Sequence, residues 1–167
     1  HMVDLRMNIL NNHVDFFVSH RLPIAVKLIQ EGHKVTLISG QSGSYEMEQI
    51  ALQKLSNYPI KHIKLIFKPS STNPLIEIFS IFQLIYYLFK LKPDILHCVS
   101  PKGVLYGGIA VFISRTKGIV LAISGMGYLF TNSKKRRSFS KIILKQSYLF
   151  IFKMILLNNR HIKVIVQ

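Results

Sequence analysis

Three short clusters of polar, basic or glycine residues follow apolar segments and could bind an anionic ligand. Basic side chains and the free N–H groups of a helix N-terminus attract phosphate, and glycine lets the backbone approach a ligand closely. These clusters therefore predict contacts to a phosphate-containing molecule. In chain order they contain Asp15, His20 and Arg21; His97, Ser100 and Lys102; and Ser124, Gly125 and Gly127.

Each cluster also has a structural interpretation, and the residue types alone leave both open. Ser19 could cap a helix that has Pro23 in its first turn. His97 could be an ordinary buried histidine of a strand. Ser100 is expected to cap a helix beginning at Pro101, and the glycines after Ser124 could form a tight turn.

Several kinds of site are excluded by missing motifs. The sequence has no D-x-D pair, no H-E-x-x-H and no C-x-x-C, so it predicts no metal site. It also lacks a G-x-S-x-G turn and a Walker A lysine. Residues 11–23 contain no glycine, which disfavours a simple NAD or FAD site and predicts no resident cofactor. The lone Cys98 excludes a disulfide scaffold and favours a reducing compartment.

The charge is strongly asymmetric. The 22 Lys and Arg against 7 Asp and Glu give +15, and every carboxylate lies at or before Asp94. A basic segment feeding an apolar helix, Phe139–Leu157, predicts peripheral binding to an anionic membrane. A solvated loop before a core helix is the alternative, and nucleic acid is disfavoured because no stacking motif is present. The residues of this segment are Lys134, Lys135, Arg136, Arg137, Lys141 and Lys145.

The elements that must position these residues alternate between strands and helices. The pattern predicts an α/β fold: one Rossmann-like domain with a mostly parallel, doubly wound sheet of about six strands. Ligands of such sheets bind beyond the carboxyl ends of the strands, where all three clusters lie, whereas Asp94 at an amino end is expected to be structural. The predicted strands are Met7–Asn11, Lys34–Ser39, Ile60–Phe67, Ile95–Val99, Gly118–Ser124 and Ile162–Val166. The predicted helices are Ser19–Gln30, Tyr45–Leu55, Leu75–Leu91, Lys102–Ser114 and Phe139–Leu157.

Two further expectations concern apolar segments. No run reaches the ~18–20 residues needed to span a bilayer, and no signal peptide is recognised. Within Leu75–Leu91 one stripe at helical spacing is expected to face the core. It contains Ile78, Ile81, Phe82, Ile85, Leu88 and Phe89.

The N-terminal domain of family 4 glycosyltransferases is similar to this chain in three places taken together: Asp15–Ala25 with Gly32–Thr36, Lys92–His97 with Ser100–Gly103, and Ser124–Phe130. These enzymes have the GT-B architecture, in which two Rossmann-like domains face a cleft. The nearest similarity is to the bacterial branch that builds polysaccharides on undecaprenyl diphosphate. One departure is Ser124, where many relatives carry a histidine.

The resemblance implies an acceptor-binding half enzyme. The missing second domain would bind most of the nucleotide-sugar donor, and this domain would hold the lipid-linked saccharide acceptor through the three clusters, with Arg21 and Lys102 on its phosphates. We expect residues 1–2 to be an expression scar, residues 3–167 to form this domain, and the isolated chain to be inactive. Catalytic residues are not assigned. The expected location is the cytoplasmic face of the bacterial membrane, and a non-catalytic binding or membrane-recruitment module on the same fold is the alternative.

Overall fold

The computed structural model describes residues 4–69, 73–114, 116–123 and 161–166, together with the isolated helical positions 146, 149, 150 and 153. Its strands are β1 (Arg6–Asn11), β2 (Lys34–Ser39), β3 (Lys61–Lys64), β4 (Ile95–Val99), β5 (Gly118–Ile123) and β6 (His161–Val166). Its helices in the continuous ranges are α1 (Val14–His20), α2 (Leu22–Gln30), α3 (Tyr45–Leu55), α4 (Pro74–Leu91) and α5 (Pro101–Ser114). The predicted helix Phe139–Leu157 and the end of the predicted fifth strand at Ser124 lie largely or wholly outside these residues.

The six strands form one parallel sheet in the order β3-β2-β1-β4-β5-β6. The chain first builds outward from β1 to β3, then returns so that β4 pairs with the other side of β1. This reversal creates a switch point between β1 and β4, where ligands of doubly wound sheets bind. The predicted fold class is therefore confirmed.

Helices cover both faces of the sheet because successive residues of β1 point to opposite sides. Leu10 packs with Leu84 of α4 and Val104 of α5 in one buried cluster. Ile9 packs on the other face with Phe17 of α1 and residues of α2 and α3. The sheet is thus sandwiched between two helical layers, as a doubly wound fold requires.

The predicted helix Ser19–Gln30 is wrong at its beginning. Two helices occupy this region, separated at Arg21, and α1 begins at Val14 with His13 as its N-cap. Ser19 caps neither helix, because its hydroxyl donates to the carbonyl of Asp15 inside α1 at 2.9 Å. Pro23 lies in the first turn of α2 as expected, where its missing N–H costs nothing.

The predicted third strand, Ile60–Phe67, is longer than the observed one. The last residue of β2, Ser39, pairs with Lys64, so β3 has no partner strand beyond that position. The chain then turns inward, and Leu65 and Phe67 are both buried in the core formed with α4 and α5. The apolar run that predicts extra strand residues is a buried connection.

The predicted core-facing stripe of α4 is only partly correct. Leu88 is buried and Ile81 and Ile85 are partly buried, but Ile78, Phe82 and Phe89 are exposed. The buried face instead includes Ser80 and Leu84. Ser80 is tolerated there because its hydroxyl donates to the carbonyl of Ile76 at 2.6 Å.

The expectation that no segment is long enough to span a bilayer is also wrong in one respect. Among the described residues, α4 reaches the necessary length and has a mean hydropathy of 1.4. These two properties are shared by core helices of soluble proteins, and α4 packs against α5 on the sheet. Length and composition alone therefore do not make it a membrane span.

Candidate functional site at the switch point

Asn12 and Ser100 join the carboxyl ends of β1 and β4. The Ser100 hydroxyl donates to Asn12 Oδ1 at 2.7 Å and accepts the Gly103 N–H at 3.3 Å. Ser100 therefore caps α5, as the sequence predicts, while holding the β1 end in place. A Cβ on Gly103 would lie 3.1 Å from the Ser100 hydroxyl oxygen, so the glycine leaves room for the capping side chain.

A histidine that the sequence analysis did not single out lies beside Asp15. His13 Nδ1 is 2.7 Å from Asp15 Oδ1, and the same oxygen accepts the Ser42 hydroxyl at 3.0 Å. In the tautomer that carries its hydrogen on Nδ1, the ring donates to the Asp15 carboxylate and Nε2 is left to accept a hydrogen bond; in the other tautomer Nδ1 accepts the Phe16 N–H, 3.4 Å away. The H-x-D spacing at a strand end could have signalled this pair, but the contribution of Ser42 from the loop after β2 depends on the tertiary fold.

Gly40 fixes the loop that carries Ser42. Its N–H donates to the carbonyl of Asn12 at 2.9 Å, which joins the ends of β2 and β1. A Cβ at this position would lie 2.6 Å from the carbonyl oxygen of Phe67 and 2.7 Å from that of Asn12. Glycine is therefore needed for three backbone segments to meet behind the site.

Arg21 and His97 are buried, each about 8% exposed, so neither side chain is an open cleft residue. Burial, together with the positive charge of Arg21, lowers the pKa of His97 to about 4. His97 is consequently neutral at physiological pH. It lies in the middle of β4 rather than at the carboxyl end, and its Nε2 has no hydrogen-bond partner among the described residues.

Lys102 lies in the first turn of α5 and contacts α4. Its ammonium is 2.9 Å from Glu77 Oε1 and donates to the carbonyl of Lys68, also at 2.9 Å. Both charged side chains are about one-fifth exposed. The cation expected to meet an acceptor phosphate is thus engaged by protein oxygens in this structure.

His20 is not brought to the switch point. The sequence predicts it in a loop near a helix N-terminus. In the structure it lies in the last turn of α1, whereas Asp15 lies in the first turn. The ring stacks on Phe16 with centroids 4.4 Å apart, and its Nδ1 is 2.7 Å from the Ser19 hydroxyl. Its environment is local to α1.

The remaining predicted site residues lie outside the described residues. These are Ser124, Gly125 and Gly127 of the third cluster, and Lys134, Lys135, Arg136, Arg137, Lys141 and Lys145 of the basic segment. Within the described part of the chain, no group of three or more His, Cys, Asp or Glu side chains could hold a metal ion.

Two surface hollows lie away from the switch point. One is formed by α2 residues with Val18 and Tyr58. The other lies at the amino ends of the strands, near Arg6, Asp94 and Lys117. Asp94 is structural there, as expected: its Oδ2 accepts the Arg6 N–H at 3.0 Å, and this hydrogen bond is the main reason why the pKa of Asp94 is lowered.

The sequence can be compared with known families once this geometry is established. The profile of the family described as Glycosyl transferase 4-like matches residues 9–159, which is most of the chain. The chain belongs to this family. The resemblance drawn from the sequence motifs is therefore confirmed. No curated protein sequence is detectably similar to the chain.

Solved structures of low sequence identity share the fold of this family member. MurG of Acinetobacter baumannii has a TM-score of 0.53 at 16% identity over 72% of the chain. A putative UDP-N-acetylglucosamine 2-epimerase from Listeria monocytogenes has a TM-score of 0.61 at 14% identity over 90%. WbmH of Bordetella bronchiseptica, solved with NAD+, has a TM-score of 0.58 at 15% identity over 98%. The chain spans 35%, 38% and 56% of these three proteins, respectively.

Proposed function

We propose that this chain is the acceptor-binding half of a glycosyltransferase. The complete enzyme would transfer a hexosyl or N-acetylhexosaminyl group from a nucleotide sugar to a lipid-diphosphate-linked saccharide during synthesis of a cell-surface polysaccharide such as O-antigen. The observation that carries the proposal is the match to the glycosyltransferase family over residues 9–159. Transfer needs donor and acceptor sites facing each other, and a chain that spans about half or less of its structural neighbours would supply one of them.

The groups at the switch point suit an acceptor saccharide. His13, oriented by Asp15, offers Nε2 to a sugar hydroxyl, and the Asp15 carboxylate itself is held by Ser42. A carboxylate–histidine pair can receive a hydroxyl proton as the hydroxyl attacks. The N-terminus of α5 is joined through Ser100 to Asn12, the residue before His13, and favours an anionic group of the acceptor.

We propose no resident cofactor. WbmH shares the fold and was solved with NAD+, but a dinucleotide needs close backbone approach at the first turn of the sheet. In this chain the turn between β1 and α1 consists of Asn12 and His13, and neither is glycine. The nucleotide of the donor would be bound mainly by a second Rossmann-like domain.

We place the complete enzyme at the cytoplasmic face of the bacterial membrane, where a lipid-linked acceptor is found. The basic segment, Lys134–Arg137 with Lys141 and Lys145, supports this location through its charge, since each cation near an anionic surface contributes about 1 kcal/mol. No nucleic-acid partner is proposed.

The experiment is a binding measurement on the purified chain with a short-chain, water-soluble prenyl-diphosphate saccharide and, separately, with nucleotide sugars. We expect binding of the acceptor analogue and weak or no binding of the donors. Asp15→Asn should weaken acceptor binding because it releases His13, whereas Glu31→Gln, an exposed carboxylate change at the end of α2, should not. Donor binding without acceptor binding would contradict the assignment of this half.

A transfer assay completes the test. We expect no transfer by the chain alone, and transfer when a second Rossmann-like domain completes the protein. Turnover by the chain alone would contradict the half-enzyme proposal. An inert complete protein that still binds the acceptor would favour the non-catalytic binding module.

A further inference from the structure

One side of α4 forms a continuous apolar face that the described part of the chain leaves exposed. Six large side chains on it are between 51% and 76% exposed. Their spacing keeps them on one side of the helix over about 21 Å. We call this face the α4 ridge: Leu75, Ile78, Phe79, Phe82, Tyr86 and Phe89.

The opposite side of α4 packs into the core with strand residues and α5. The α4 ridge is therefore not the core-facing side of the helix. Leu84 and Leu88 are buried against the sheet and α5. Phe112 and Ile113 at the end of α5, the helix that packs against α4, are also about 45% exposed. Contiguous exposed apolar surface of this kind marks an interaction site.

The charges around the ridge indicate the kind of partner. Glu77 is the only carboxylate of α4, and it is neutralised by Lys102. Lys90 and Lys92 are exposed at the end of the helix, and Lys68 is exposed in the segment before it. Aromatic residues flanked by lysines and free of unpaired carboxylates are typical of a helix that lies in the interface of an anionic bilayer.

We propose that the α4 ridge inserts into the headgroup region of an anionic lipid bilayer, with α4 lying parallel to the membrane plane. Crossing the bilayer would require α4 to leave the sheet and expose Leu84 and Leu88, whereas lying flat keeps both buried. The choice of a lipid partner rests on the proposed function, since a lipid-linked acceptor is reached at this depth. The ridge is connected to the switch point through Glu77, Lys102 and the first turn of α5.

Vesicle co-sedimentation of the purified chain tests the proposal, with phosphatidylcholine alone and mixed with phosphatidylglycerol. Wild-type chain should bind the anionic vesicles. The double variant Phe79→Gln/Phe82→Gln should bind at least about tenfold more weakly, because two aromatic side chains no longer leave water. The matched control is Met47→Gln/Ile50→Gln, which removes two exposed apolar side chains of α3, 53% and 46% exposed, and should bind within about twofold of wild type. Urea unfolding of each variant verifies that it is folded.

A tryptophan probe reports which surface enters the lipid, because the chain contains no tryptophan. Phe82→Trp should shift its emission to the blue on anionic vesicles and be quenched by brominated lipids, whereas Met47→Trp should show neither effect. Equal vesicle binding by the ridge variant, or unquenched emission from bound Phe82→Trp protein, would overturn the proposal. So would a wild-type dimer that the ridge substitutions dissociate without changing vesicle binding. Failure of the acceptor-binding function would appear instead with the soluble acceptor analogue, which needs no vesicle.

Discussion

The Ser100 hydroxyl donates a 2.7 Å hydrogen bond to the side-chain oxygen of Asn12, a residue 88 positions earlier in the chain. This bond connects the two strands that border the switch point and does so from the residue that caps α5. Ser100 also has a φ of 80°, a left-handed conformation that costs a residue with a Cβ roughly 1–2 kcal/mol. The strain is tolerated because the Ser100 hydroxyl makes two hydrogen bonds, one with the Gly103 N–H of α5 and one with Asn12 at the end of β1.

Ser100→Ala and Ser100→Gly should therefore differ in their effect on stability. Both substitutions remove the cap and the bond to Asn12, which should cost about 1–2 kcal/mol. Ser100→Gly also relieves the left-handed strain, so its loss in the free energy of unfolding should be smaller by up to about 1 kcal/mol. Urea unfolding of the three proteins measures the difference. A glycine variant less stable than the alanine variant would show that the conformation at this position is not strained.

The buried His97 should make the protein less stable in mild acid. Its pKa is 6.5 in the absence of the fold and about 4 within it, so the unfolded chain takes up a proton over an interval in which the folded chain does not. The free energy of unfolding should be highest above pH 6.5 and fall as the pH decreases toward 4, by at most about 3 kcal/mol from this residue.

Denaturant unfolding across this pH range, for wild type and His97→Gln, isolates the contribution. The variant should lose part of the pH dependence. His62→Asn is the necessary comparison, because burial also lowers the pKa of His62 against the opposing charge of Glu48. Identical pH slopes for wild type and His97→Gln would mean that His97 titrates normally in the folded protein.

The order of elements and the parallel sheet were predictable because hydrophobic periodicity and chain breakers report local structure directly. Helix α3 and strand β4 have the predicted bounds. Ser44 is the N-cap of α3, and Pro93, which cannot continue a helix, lies between α4 and β4. Gly32 ends α2 with a φ of 88°, as a helix-terminating glycine should. Long-range pairing then follows from the rules for parallel sheets.

The errors arise where local pattern and tertiary packing disagree. The break at Arg21 is missed because Ser19 followed by Pro23 imitates a helix beginning. The true cap of α1 is a histidine, an uncommon capping residue. The stripe of α4 is misassigned because the helix is apolar around most of its circumference, so periodicity cannot tell which side faces the sheet. The H-x-D spacing of His13 and Asp15 is a local signal, but the hydrogen bond from Ser42 that fixes Asp15 comes from another loop and depends on the tertiary fold.

Gly40 and Gly43 both lie in the connection between β2 and α3. Replacing each by alanine should show how much of the loss in stability comes from a steric clash and how much from backbone entropy. Gly40→Ala places a Cβ 2.6 Å from the carbonyl oxygen of Phe67, which cannot rotate away, whereas a Cβ on Gly43 meets nothing within 4 Å. We expect Gly40→Ala to lower the free energy of unfolding by about 1–3 kcal/mol and Gly43→Ala to change it by less than about 0.5 kcal/mol. Gly40→Ala should also weaken acceptor binding, because the same connection holds Ser42 against Asp15. A stable Gly40→Ala protein would contradict the close approach of the three backbone segments.

The final prediction concerns the ion pair between Glu77 and Lys102. From the sequence, the Lys102 ammonium is expected to bind a phosphate of the acceptor instead. A double-mutant cycle with Glu77→Gln and Lys102→Met should give a coupling of about 0.5–1 kcal/mol, because both side chains are about one-fifth exposed and water screens them less than a surface pair. The control cycle uses Asp4→Asn and Lys34→Met, whose 3.1 Å pair is 52% and 75% exposed and should couple more weakly and lose more of its coupling in salt. If the Glu77–Lys102 coupling does not exceed that of the control, Glu77 does not hold the ammonium. Lys102 would then be available for the acceptor phosphate, and Lys102→Met should weaken binding of the diphosphate analogue instead.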